Sequence, residues 1–200
     1  MKKVILCCSF IFLFCYQMSA NSLDSDIKNY VDHFLQNSFN ILNSKNLDTK
    51  EKESKVSNLL LENLHFEWIV NFLLGAEIHR ISNEELEKFQ EVYKNYITYN
   101  LGKMIKQYEG EKVEIKFVKN IKDKDYLVKT QVISNNESGN IVVDIMVRKV
   151  DSNVFKIFDI ITEGISLLIT EKQDFNIILQ DPKLGKEKVK KLISKLSGEE

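Results

Sequence analysis

Apolar residues recur along this chain with two periods, and the change falls near residue 110. Ile27, Tyr30, Val31, Phe34 and Leu35 stand at i, i+3, i+4, i+7 and i+8, which aligns them on one face of a helix. Asp24 and Ser25 are candidate caps for it. Asn43 to Asn46 is a polar break. Asp48-Thr49-Lys50-Glu51 then has the spacing of a capping box, predicting a second helix that runs to Leu59, Leu60 and Leu61. Leu64 to Leu74 is almost continuously apolar and ends at Gly75, a natural helix terminator. It is apolar on more sides than one contact surface requires, so it predicts a helix that is wrapped or faces a ligand. Ser82 and Glu85 form a second capping box. The long helix behind it carries Leu86, Phe89, Tyr93, Tyr96, Ile97, Leu101, Met104, Ile105 and Tyr108 as its buried stripe and stops at Gly110.

Beyond that point the period is two. Val113, Ile115 and Phe117 alternate with Glu114 and Lys116, and Tyr126, Val128, Thr130 and Val132 repeat the pattern. A turn over Asn135–Asn140 precedes Ile141, Val143, Ile145 and Val147, and Asp151-Ser152-Asn153 precedes Val154 to Ile161. Four strands with hairpin-length links predict an antiparallel meander with one charged, open face. Helical spacing returns through Leu167, Leu168, Phe175, Ile178 and Leu179, is broken at Pro182, and resumes with Val189, Leu192, Ile193 and Leu196. The expected class is α+β: a curved four-stranded antiparallel sheet covered on one face by helices, with a hydrophobic pocket between them.

The N-terminus alters the domain picture. Lys2 and Lys3 precede an apolar run from Val4 to Tyr16, followed by small and polar residues to Ala20, which is the pattern of a secretory signal peptide. Residues 1–20 are therefore read as an export signal and 21–200 as one domain: helices over 21–110, sheet over 111–162, C-terminal helices over 163–197. All three cysteines, Cys7, Cys8 and Cys15, lie in the signal, so the exported chain folds without a disulfide or a thiolate zinc site. Taking Lys2 and Lys3 from 28 basic residues leaves 26 against 29 acidic ones, a net charge of −3. That argues against a general nucleic-acid binder.

Little catalytic chemistry is in view. His33, His65 and His79 lack metal-ligand spacing, and there is no nucleophile elbow or phosphate-binding glycine loop. Asp159 and Glu163 are the one carboxylate pair worth weighing as a general acid and base in a cavity. The plainer reading is that they bind backbone N–H groups at the start of a helix, or pair with Arg148. Arg148 and Arg80 are the only arginines, and Arg is favoured where a fixed bidentate partner is needed.

The segment from Asp144 to Ser166, with Arg148-Lys149, Phe155, Phe158-Asp159 and Glu163-Gly164-Ile165-Ser166, resembles the MlaC family, the periplasmic phospholipid-binding components of the Mla lipid-transport pathway. The family pattern there is Arg-Lys, then Trp-x-x-Tyr-Asp, then Glu-Gly-Val-Ser. Phe155, Phe158 and Ile165 stand at the Trp, Tyr and Val positions. Leu74-Gly75 and Tyr108-Glu109-Gly110 extend the likeness upstream. Ile78 and Ser82-Asn83 depart from the family's aromatic and Thr-Pro, and Leu101 stands for a tyrosine.

The resemblance implies a monomeric, non-enzymatic periplasmic carrier with no cofactor and no metal. It would shuttle glycerophospholipids between an outer-membrane lipoprotein complex and an inner-membrane ABC transporter to maintain outer-membrane asymmetry. Periodicity and family placement together nominate Trp68, Phe72, Leu73, Tyr93, Tyr96, Ile97, Val143, Ile145, Val147, Phe158 and Ile160 as the lipid-binding lining. Arg148, Asp159, Glu163 and Gly164 are expected to form a structural latch at the sheet edge. The alternatives are a small cavity enzyme using Asp159 or Glu163, and an adaptor that works through its surface.

Overall fold

The computed structural model describes residues 23–133 and 140–199. The signal segment 1–20 lies outside the described residues, as does the expected Asn135–Asn140 turn apart from Asn140. Helix α1 covers 23–42 and buries Ile27 and Val31 completely, so the predicted stripe faces inward. Asp24 and Ser25, expected as caps, already lie inside the helix. Helix α2 is Thr49–Asn63, and its capping box is complete: Asp48 accepts from the Glu51 N–H at 2.9 Å, and Glu51 accepts from the Asp48 N–H at 2.9 Å.

The apolar run from Leu64 is not one helix. Leu64 bridges Ile157 in parallel and His65 donates its N–H to the Ile157 carbonyl at 2.7 Å. Helix α3 begins only at Phe66 and ends at Leu74. The two-residue link divides its backbone bonds: the His65 N–H goes to the strand, while the Leu64 N–H donates to the Leu60 carbonyl of α2 at 2.9 Å and the His65 carbonyl accepts from the Ile69 N–H at 3.0 Å. Gly75 caps α3 at φ 55°, ψ −128°, a conformation that a side chain strongly disfavours. A Cβ there would also meet Lys172 Nζ at 3.1 Å, and that ammonium donates to the Leu73 carbonyl at 2.8 Å. Gly75→Ala is expected to cost about 2 kcal/mol in urea unfolding; an unchanged midpoint would show that the turn relaxes freely.

A 3₁₀ turn, Gly75–His79, leads to α4, Asn83–Lys106, opened by the predicted Ser82–Glu85 box. Phe89 and Tyr93 are buried, whereas Met104 is 66% exposed and leaves the stripe. The helix ends at Lys106, short of Gly110.

The sheet holds five strands in chain order, all pairs antiparallel: β1 Lys112–Lys122, β2 Asp125–Ile133, β3 Ile141–Asp151, β4 Val154–Thr162 and β5 Ile165–Ser166. The fifth strand, absent from the sequence reading, pairs only through Ile161↔Ser166 and Thr162↔Ile165. Of the four register shifts among the described strands, two bear on the cores. The first, at Lys116, turns Phe117 to the open side, where it is 49% exposed, and Val118 opposes Val128 instead. The second, at Phe158 between Ile157 and Asp159, bends β4. Helix α5 (Leu167–Leu179), a 3₁₀ turn (Pro182–Leu184) and α6 (Lys188–Ser197) close the chain.

Two cores result. In one, Ile27 and Val31 of α1 pack on Tyr126, Val128, Ile145, Val147 and Ile157. In the other, α3, α4, α5 and α6 pack on one another around Leu73, Phe89, Phe175 and Leu192, and Phe158 packs against this cluster. The expected cover of the sheet is thus supplied by α1, while the bulge joins the helical core to the β4 edge.

Candidate functional site

The junction of the two cores is built on Arg148. Register places Arg148 opposite Asp125, and the guanidinium binds both carboxylate oxygens, at 2.6 and 2.8 Å. It also lies 4.3 Å from the Trp68 ring centroid and 4.9 Å from that of Phe158. Trp68 stacks on Phe72 at 5.4 Å and meets Phe158 edge-on at 5.3 Å. One arginine therefore ties β2, β3, β4 and α3 together. The predicted latch needs correction here, since Arg148 pairs with neither Asp159 nor Glu163.

Those two carboxylates are occupied by other donors. Asp159 accepts from the Ile160 N–H at 2.8 Å, the Leu168 N–H at 3.0 Å and the Ser166 hydroxyl at 2.6 Å, fixing the start of α5 to β4. Glu163 stands at φ 49°, its carboxylate accepting from the Val142 N–H at 2.6 Å. Gly164 follows at φ 81°, so the tight turn needs its glycine. Asp159 is an acceptor at the start of a helix, as the plainer sequence reading has it, whereas Glu163 accepts from an N–H of β3 instead.

Nine of the eleven nominated lining residues belong to or pack against one of the two cores. Leu73 and Tyr93 lie inside the helical core, with Trp68, Phe72, Tyr96, Ile97 and Phe158 packed against it. Ile145 and Val147 belong to the core under α1. Val143 and Ile160 share the sheet face of Ile145 but are only partly buried and join neither core. Buried Thr130 lies opposite Val143 and donates its hydroxyl to the Val143 carbonyl. This end of the sheet keeps apolar surface that the helices do not fully take up.

Two features carried no sequence signal of their own. A groove of about 500 Å³ opens where α2 meets α3, floored by Leu61, Leu64, Phe66 and Val150 and edged by His65, Lys94 and Lys156. Its groups come from four separate segments, so no local motif announces it. Lys94 Nζ sits 5.0 Å over the Phe66 ring, and Lys156 donates to the Glu62 carbonyl at the end of α2. His65 titrates below its usual 6.5, first because it is partly buried and next because of the Arg148 charge.

The second feature is Glu171, which accepts from the Tyr93 hydroxyl at 2.6 Å across the α4–α5 seam. Burial raises its carboxyl above the usual 4.5, the Tyr93 bond works against that, and Asp159 and Asp174 add to the rise. A carboxyl held higher in the folded than in the unfolded chain contributes stability below the unfolded value. That contribution is lost as pH climbs from 4.5 through the raised value. Glu171→Gln keeps an acceptor for Tyr93 and removes the charge. It is expected to raise the urea midpoint at neutral pH and to flatten the fall in stability above 4.5; superimposable pH profiles of the two proteins would refute this.

Set beside known proteins, the chain matches the family described as MlaC protein over residues 32–198. Its backbone is similar to that of a phospholipid-binding protein from Ralstonia solanacearum, solved in complex with a phospholipid. The TM-score is 0.70 at 18% identity, covering 88% of this chain and 97% of the other. No curated protein matches the chain significantly.

Proposed function

We propose, from the premise that this chain belongs to the MlaC family, that it is a phospholipid-binding carrier rather than an enzyme. The match over residues 32–198 carries the reading, since it spans the helical core, the whole sheet and all the site residues discussed above. A phospholipid occupies the Ralstonia protein that shares the fold, which favours the same ligand class here. Val143 and Ile160 supply apolar surface at the sheet end, and the tails would lie against them.

The finer reading follows the family. The protein would move glycerophospholipids through the periplasm between an outer-membrane lipoprotein complex and an inner-membrane ABC transporter, sustaining outer-membrane asymmetry. Physical chemistry explains why such a carrier is needed. A buried methylene is worth about 0.8 kcal/mol, so ~28 methylenes set a cost on the order of 20 kcal/mol for a lipid leaving a bilayer unaided. Shielding the tails throughout removes most of that cost. The cavity-enzyme alternative has less support, because Asp159 and Glu163 already accept backbone and hydroxyl hydrogen bonds.

Native mass spectrometry of the protein purified from cells tests the carrier reading. A co-purified species with the mass of a two-chain phospholipid is expected. A lipid-free protein that also takes up none from vesicles would sink it.

A further inference from the structure

We infer that the C-terminal segment Pro182–Gly198, together with the end of α5, docks the protein on an anionic phospholipid bilayer. The chain without its first 20 residues is net acidic, yet this stretch holds six lysines, Lys183, Lys186, Lys188, Lys190, Lys191 and Lys195, against a single acid, Glu187. Helix α6 buries Val189 and Leu192 against the body, which leaves the lysines on its free side. Lys183, Lys186, Lys190 and Lys195 are exposed. Lys188 is different: it is largely covered and lies 3.4 Å from Glu77, so it is not part of the face.

Some of this charge is offset. Glu187 lies 3.1 Å from Lys190 on the surface, and Glu199 and Glu200 follow the segment directly. Lys183, Lys186 and Lys195 therefore carry most of the argument. In the last turn of α5, Ile177 is 72% exposed, the most open large apolar side chain among the described residues. Exposed lysines that closely follow an exposed isoleucine in the chain suit the boundary of an anionic leaflet, where basic side chains meet lipid phosphates and an apolar one meets the acyl edge.

Attraction of this kind is short-ranged and screened by salt. The acidic remainder of the protein is repelled by the same surface, which orients the approach. Contact of that strength is reversible, as a shuttling protein requires. The docking does not depend on lipid being held inside, so lipid content is scored separately by mass spectrometry.

Flotation with phosphatidylcholine vesicles, with and without about 30% phosphatidylglycerol, is the test, run at about 0.02 M and about 0.5 M salt. Binding is expected only with phosphatidylglycerol at low salt. Lys183→Gln, Lys186→Gln and Lys195→Gln together should weaken it by about 100-fold, at about fivefold per lysine. The matched set Lys119→Gln, Lys122→Gln and Lys124→Gln on the β1–β2 hairpin should change it by less than about threefold. Equal binding to neutral vesicles, equal loss in the two triple variants, or no binding at all would each overturn the inference; the last leaves an acidic protein as the partner of this face.

Discussion

Arg148→Ala is expected to lower folding stability by about 3 kcal/mol and the melting temperature by roughly 10 °C. The loss has three sources. Both members of the Arg148–Asp125 pair keep only 23% of their side-chain surface exposed, and the bond is bidentate, so removing the arginine strands a half-desolvated carboxylate. The guanidinium also leaves the faces of Trp68 and Phe158, worth about 1 kcal/mol. Finally, α3 loses one of its ties to the sheet and keeps the Trp68–Phe158 contact.

Arg148→Lys separates charge from geometry. It keeps a cation but not the planar fork, and should recover less than half of the loss. Pairing Arg148→Ala with Asp125→Ala in a double-mutant cycle isolates the ion pair, whose coupling should be about 1–2 kcal/mol. If Arg148→Ala costs under about 1 kcal/mol by denaturant unfolding, the arginine is not the tie described here.

Arg148 also shows where sequence reasoning reaches and where it stops. Its singularity in a lysine-rich chain marked it as a residue with a fixed partner, and it has one. The partner could not be read, because Asp125 comes opposite Arg148 only through the β2–β3 register, which many distant contacts set together. Capping boxes at Asp48 and Ser82 were legible because all their atoms lie within four residues. Phe117 was misplaced for the opposite reason. Period-two alternation assumes a regular ladder, and the bulge at Lys116 breaks it without any local mark such as a glycine.

The site was legible to the same degree. Periodicity identified residues that avoid water but not what they pack against. Leu73 and Val147 looked alike in the sequence, yet one belongs to the helical core and the other to the sheet under α1. Glu171 was missed because a single glutamate in an amphipathic helix usually faces solvent, and only the packing of α4 reveals it beneath Tyr93. The strand β5 is two residues long, too short for any period to register.

Asp159→Ala is expected to cost about 3 kcal/mol, because three donors lose their acceptor together. Two of them are backbone N–H groups, those of Ile160 and Leu168, and the third is the Ser166 hydroxyl, which itself accepts from the Ile169 N–H at 3.0 Å. The damage should spread through that chain into the first turn of α5. Asp159→Asn is far milder, at about 1 kcal/mol. Its carbonyl still accepts from both N–H groups, and its amide can donate to the serine oxygen once that hydroxyl turns away. The two variants therefore divide the readings of this acid. A structural acceptor predicts that Asp159→Asn retains both fold and bound phospholipid, measured by urea unfolding and native mass spectrometry, while Asp159→Ala melts early. A general base predicts the reverse emphasis: any turnover disappears in Asp159→Asn although the protein remains as stable as the parent. An Asp159→Asn protein that folds normally but loses its lipid would contradict the structural role, since nothing in that exchange disturbs the sheet face carrying Val143 and Ile160.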